Sequence, residues 1–151
     1  MSTTIAATSA IALAVVLVAG CAPLPMADAG SAAQAKTFMP SPDRANVYVY
    51  RNQYLGAAVR MAITADGKEI GITRGKTYLL LPLEPGQHTI VSQGQTNLPL
   101  TLVVAAGKNY FVRQEVTHNF FSFTYHSRLK LVDEATGRQG IDECELVAAA
   151  Q

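Results

Sequence analysis

The chain has 151 residues, of which 49% are hydrophobic and 15% are charged, and its formal net charge is +1. This length suggests one domain plus a leader, and the apolar content is sufficient for a packed core. The charge balance provides neither a basic stripe for nucleic acid nor an acidic tail, so we predict no nucleic-acid partner.

The N-terminus carries a short apolar run typical of a signal peptide. Residues 11–19 are apolar throughout, which is short for a segment that must cross a bilayer, where about 20 residues are needed. Val18-Ala19-Gly20-Cys21 end this run and resemble the lipobox of bacterial lipoproteins. The resemblance implies removal of a signal peptide at 1–20, acylation of Cys21, and a membrane partner held through that lipid.

One feature of this N-terminus departs from the signal-peptide pattern. Residues 1–4 contain no Lys or Arg, which departs from the usual positive start of a signal peptide. The alternative is an uncleaved apolar helix with an incidental cysteine. If Cys21 is acylated, Cys144 is the remaining cysteine and no intramolecular disulfide can form.

The segment after the cysteine is rich in Ala, Pro, Ser and Gly and shows no apolar period. We therefore predict a flexible tether over residues 21–45. Ala22 follows the cysteine, where the lipoprotein class carries Asp in proteins retained at the inner membrane. Ala22 thus implies export to the periplasmic face of the outer membrane.

From residue 46 to the C-terminus the pattern predicts a single β domain, 46–151, made of short strands separated by turns. In the strand predicted at 46–51, the alternation places Val47 and Val49 on one face and Tyr48 and Tyr50 on the other. Asp66-Gly67 indicates a hairpin, and Pro99 indicates an edge strand. The predicted strands are 46–51, 59–63, 70–72, 77–83, 88–92, 98–104, 109–117 and 120–132.

The C-terminus is predicted to be a polar loop over 133–140 and a short helix over 141–149. Strands at this spacing with Gly and Pro turns favour an all-β fold. We predict an antiparallel sandwich of about seven or eight strands with a short C-terminal helical segment.

Several short motifs resemble a family of bacterial lipoproteins known as domain-of-unknown-function family twenty-eight forty-six. The motifs are VYVYR at 47–51, ADGKEIGIT at 65–73, PGQHTI at 85–90 and NYFVR at 109–113. The cadence is also similar to PEGA surface domains, which implies an immunoglobulin-like or transthyretin-like sandwich. Neither resemblance implies catalytic residues.

The residues offer few candidates for chemistry, and we predict no catalytic, metal or cofactor site. His88, His118 and His126 lack the close spacing of zinc ligands and are interpreted as polar strand-end residues. Cys144 lies between Glu143 and Glu145, which would raise its pKa, so a buried apolar role is favoured over a nucleophile.

The aromatic residues leave a more open question. Phe120, Phe121, Phe123 and Tyr125 are predicted to place rings on both faces of one strand. Either the C-terminal segment with Ile141, Cys144 and Val147 covers the second face, or that face contacts a partner or a glycan.

These observations favour a lipid-anchored, non-enzymatic envelope domain that binds an envelope protein or another component. Two alternatives are a small hydrolase or metal-binding protein that uses the histidines or Cys144, and a module that binds cell-wall glycan.

Overall fold

The computed structural model describes residues 23–94, 97–119 and 121–150, and the predicted signal peptide and Cys21 lie outside them. In this part of the chain, nine strands and two helices form a sandwich of a five-stranded and a four-stranded sheet. The elements are α1 Ala29–Ala35, β1 Ala45–Arg51, β2 Met61–Ala65, β3 Lys68–Thr73, β4 Thr77–Leu83, β5 Gly86–Ser92, β6 Pro99–Val104, β7 Asn109–Asn119, β8 Thr124–Val132, α2 Glu134–Asp142 and β9 Glu145–Leu146.

The two sheets have the orders β8-β7-β1-β4-β9 and β3-β2-β5-β6. The all-β sandwich is therefore confirmed, but the pairing is mixed rather than wholly antiparallel. β1 pairs with β7 in parallel, and β4 pairs with β9 in parallel. β6 lies at an edge of its sheet, as its first residue Pro99 predicts. Proline has no backbone N–H to donate, so it is tolerated where a strand has a neighbour on one side only.

The alternation in β1 explains why both faces of the larger sheet are covered. Val47 and Val49 enter the core between the sheets, whereas Tyr48 and Tyr50 enter a second apolar cluster on the outer face. All seven residues of β1 are buried. A strand covered on both faces must be apolar on both, and its two tyrosines satisfy that need with large rings.

The outer face is covered in part by α2, which packs closely because of two glycines. A Cβ at Gly137 would overlap the Phe111 ring, and a Cβ at Gly140 would overlap the Tyr50 ring. The sequence pattern predicts a loop at 133–140 and a helix at 141–149, but the helix is Glu134–Asp142. Asp133 caps it by accepting a hydrogen bond from the Thr136 amide.

The segment predicted as a flexible tether is packed on the sandwich from Leu24 onward, and this corrects the prediction for the described part of 21–45. Leu24 is buried in the core between the sheets, and Met26 forms an antiparallel bridge with Val147. Further along, Phe38 packs on Tyr48 with ring centroids 5.4 Å apart. Tertiary contacts therefore order a stretch whose composition alone has no periodic apolar face.

α1 within this segment packs beside another part of the outer face. Asp28 caps it through the Ser31 amide, and the Tyr48 hydroxyl donates to the Ala35 carbonyl at 3.1 Å. Among the described residues, no helix has the length and apolar character needed to cross a bilayer.

Candidate binding surface

One end of the sandwich exposes large apolar side chains on neighbouring loops. We call it the aromatic end and define it by loop 52–60, turn 74–76 and the β7–β8 turn at 121–123. Four of its side chains are largely in solvent: Tyr54 79%, Leu55 70%, Phe121 100% and Phe123 82%. We call the other end, where β1 starts and the Asp66-Gly67 turn lies, the basal end.

The exposed phenylalanines correct the sequence prediction. The strand expected at 120–132 begins at Thr124, and the preceding residues form a turn. The Asn119 side-chain oxygen accepts from the Phe121 amide at 3.0 Å and faces the Ser122 amide at 3.4 Å, which shapes the turn as an Asx motif does. Phe123 has a φ of 53°, and a left-handed backbone breaks the alternation that would have turned rings to both faces.

The C-terminal segment does not cover these rings, contrary to the first of the two interpretations of the sequence. Ile141 and Cys144 pack with Tyr48, Tyr50 and Phe111 on the outer face of the sheet. Phe121 and Phe123 remain exposed, and Phe120 lies outside the described residues. The alternative, that this region contacts a partner, is therefore the hypothesis that the geometry favours.

Arg51 organises the loop that carries Tyr54 and Leu55. Its side chain is fully buried, and its guanidinium donates to the Val59 carbonyl at 2.8 Å and the Gly56 carbonyl at 2.7 Å. Burial, the largest cause, lowers the pKa of Arg51. No carboxylate pairs with it among the described residues, so carbonyl dipoles alone compensate this charge.

Further hydrogen bonds tie the loop to the rest of the aromatic end. The Gln53 side-chain oxygen accepts from the Val116 amide at 2.7 Å, and the Gly75 amide donates to the Ala57 carbonyl at 3.0 Å. Lys76 lies over the Tyr54 ring, 4.3 Å from its centroid, and pairs with Glu143 at 2.7 Å. The exposed rings thus stand on backbone that is held in place, which lowers the entropy cost of binding.

A buried polar network lies between the sheets beneath this end. Gln114 accepts from the Thr73 hydroxyl at 2.6 Å and donates to the Ser92 hydroxyl at 2.7 Å, and Ser127 donates to Ser92 at 2.7 Å. The network links β7 and β8 to β3 and β5. Neither serine contacts a histidine or carboxylate in it, so it provides no base to activate a nucleophile.

The three histidines do not converge. His88 lies in the other sheet, where its Nδ1 is 2.6 Å from Asp66 and its Nε2 is 2.8 Å from the Glu84 carbonyl. His126 pairs with Thr117, which is the neighbour of His118 on β7. Because neighbouring residues of a strand point to opposite faces, His118 and His126 lie on opposite faces of the β7–β8 hairpin. In the described parts of the chain, no three His, Cys, Asp or Glu residues are grouped to hold a metal ion.

Cys144 is buried, as the sequence predicts. Its thiol lies 3.2 Å from the Gly140 carbonyl, and burial raises its pKa to about 12. A thiol with such a pKa is almost wholly protonated near neutral pH, so Cys144 is a poor nucleophile.

A second concave region lies on the outer face, beside α1. It is a groove of about 740 Å³ between α1, β4 and the C-terminal tail, with Met26, Met39 and Leu80 among its apolar walls. Asp28, Gln34 and Asn46 supply polar groups at the same groove. Sequence reasoning missed it because it assigned the α1 segment to a tether.

Comparisons with known proteins identify the family of this chain. The family model described as "Protein of unknown function (DUF2846)" matches residues 41–124. An uncharacterized protein of Haemophilus influenzae is 31% identical over 136 residues, which cover 88% of this chain and 79% of the relative. No solved structure matches significantly. The matched region runs from just before β1 to the start of β8, so the chain belongs to the DUF2846 family.

Proposed function

We propose that this chain is a lipid-anchored protein of the bacterial cell envelope whose β-sandwich is a non-enzymatic binding domain. Acyl chains on Cys21 hold it at the periplasmic face of the outer membrane, and the aromatic end contacts the partner. The observation that carries the binding role is the set of four exposed apolar side chains on loops fixed by Arg51 and Gln53.

The support for the anchor is the Val18-Ala19-Gly20-Cys21 motif after a short apolar run. Two or three acyl chains, at about 0.8 kcal/mol per buried CH₂, suffice for stable membrane attachment. The scattered histidines and the protonated Cys144 argue against the alternative of a hydrolase or metal-binding protein.

The anchor is tested by expressing the full chain and a Cys21→Ala variant in a two-membrane bacterium fed with labelled palmitate. We expect label and a lipid-modified N-terminal peptide in the natural protein and neither in the variant. Cys144→Ala is the matched control and should keep the label, because its thiol is buried in the domain. An unlabelled natural protein with an intact residue 1–20 segment would contradict the anchor.

A further inference from the structure

The path of the N-terminal segment places the lipid attachment far from the aromatic end. The Ala148 amide donates to the Pro25 carbonyl at 2.9 Å, and the Ala27 amide donates to the Leu146 carbonyl at 2.9 Å. The segment therefore runs antiparallel to the C-terminal tail. That tail pairs in parallel with β4 from Thr77 and reaches Ile70, so its last residues approach the basal end.

The length of β7 gives the separation of the two ends. Its first residue, Asn109, pairs with Asn46 at the start of β1, and its last, Asn119, pairs with Thr124 beside the exposed turn. Eleven residues at a rise of about 3.3 Å each extend roughly 33 Å. Only Ala22 and Pro23 separate Cys21 from the buried Leu24, a connection that spans at most about 11 Å. On the proposed function, the lipid is thus at the basal end and the exposed rings point away from that membrane.

The charge distribution at the aromatic end suits an anionic partner. Loop 52–60, turn 74–76 and residues 117–126 contain Arg60, Arg74 and Lys76 and no Asp or Glu. Two carboxylate residues lie beside turn 74–76: Glu143 pairs with Lys76, and the Glu145 amide donates to the Lys76 carbonyl. Beneath the surface, the guanidinium of Arg51 donates to carbonyl groups and pairs with no carboxylate of the described residues, so its charge adds to the positive potential of this end.

Along the chain, the exposed rings alternate with polar residues. Ser122, whose hydroxyl is 2.7 Å from that of Thr124, lies between Phe121 and Phe123 in the sequence, and Gln53 precedes Tyr54. Rings close to hydrogen-bonding groups fit sugars, which present alternating apolar faces and hydroxyls.

We propose that the aromatic end binds an acidic glycan of the cell-wall type, that is, a sugar chain bearing carboxylates. Tyr54, Phe121 and Phe123 stack on sugar faces, and Arg74 pairs with a carboxylate. The orientation of this surface away from the lipid rests on the proposed function, whereas the binding itself does not.

The test is co-sedimentation of the full chain, in mild detergent, with purified peptidoglycan sacculi. We expect binding that weakens with added salt, and a loss of affinity of at least about tenfold, that is about 1.4 kcal/mol, in a Phe121→Ala/Phe123→Ala variant. Arg74→Glu should also weaken binding. The matched controls at the basal end are Met39→Ala, for an exposed apolar side chain, and Lys108→Glu, for an exposed cation; both should bind like the natural protein.

Two further arms decide between glycan and other partners. Chitin, a sugar polymer without carboxylates, should bind more weakly than sacculi and without salt dependence. Vesicles of phosphatidylethanolamine and phosphatidylglycerol should not compete with sacculi for the aromatic end. Sacculus binding unaffected by both aromatic-end variants, or vesicle binding that those variants abolish, would overturn the proposal. Neither outcome depends on palmitate labelling of Cys21, so the anchor and the glycan surface can fail separately.

Discussion

The two ends of the sandwich are stabilised by different kinds of interaction. At the basal end, surface charges from separate turns and strand ends form pairs: Arg44 with Glu84 at 2.7 Å, and His88 with Asp66 at 2.6 Å. At the aromatic end, one buried cation holds a nine-residue loop through carbonyl groups, and the apolar side chains of that loop face solvent. The buried Arg51 therefore stabilises the loop from the interior, and the exposed side chains of the loop remain available for contact.

Removing the buried cation should have the largest effect on this contrast. In Arg51→Met the Val59 carbonyl loses its guanidinium donor and the Gly56 carbonyl keeps only the Val59 amide as a donor; an unsatisfied buried acceptor costs about 1–3 kcal/mol. We expect a decrease of about 2–4 kcal/mol in the free energy of unfolding, measured by urea titration, together with faster amide exchange in loop 52–60. Arg44→Met at the basal end is the control and should cost less than about 1 kcal/mol, because its ion pair is exposed. Equal effects at the two ends would refute the distinction.

Replacing Gln114 tests whether the polar network supports the aromatic end. Gln114→Leu removes the bonds to Thr73 and Ser92 but keeps similar volume. The hydroxyls left with fewer partners should cost about 1–3 kcal/mol. The measurement is thermal unfolding followed by circular dichroism. Gln87→Leu, on an exposed position of β5, is the control, and a variant as stable as the natural protein would show that the network is dispensable.

The smallest effect should be a pH dependence at the basal end. The hydrogen bond to Asp66, the largest cause, raises the pKa of His88, and hydrogen bonds from Thr89 and His88 lower the pKa of Asp66. The His88 contribution is therefore complete below its unfolded pKa of about 6.5 and is lost as pH rises through its folded pKa. The Asp66 contribution is present above about 3.9 and is lost as pH falls through its folded pKa.

We accordingly expect the natural protein to lose a little stability, less than about 1 kcal/mol because Asp66 is half exposed, as the pH rises above about 6.5. His88→Ala should flatten that slope. Phe121→Ala, at the aromatic end, should leave both the slope and the stability unchanged. Urea unfolding at several pH values measures all three proteins, and a slope that persists in His88→Ala would assign it to another group.

Local patterns were sufficient for most strands and for the basal turns. The alternation over 47–50 identified a strand and its two faces, Asp66-Gly67 identified a hairpin whose two residues have φ of 50° and 81°, and Pro99 identified an edge. Each is a property of a few neighbouring residues. The helices were harder to recognise because both are short. Their signals were the Asp28–Ser31 and Asp133–Thr136 pairs, which act as caps in both helices.

The sequence by itself determined the β class, the division of β1 into a valine face and a tyrosine face, and the burial of Cys144, because these follow from side-chain type and period. Only the tertiary structure decided that β1 lies beside β7 in parallel, that residues 24–38 pack on the sandwich, and that Arg51 is buried while Phe121 is exposed. These features depend on partners far apart in the chain, since a short Ala-rich helix is stable only on a surface that receives it. The sequence therefore shows the aromatic residues as a cluster along the chain, but only the fold places them at the end opposite the N-terminal segment.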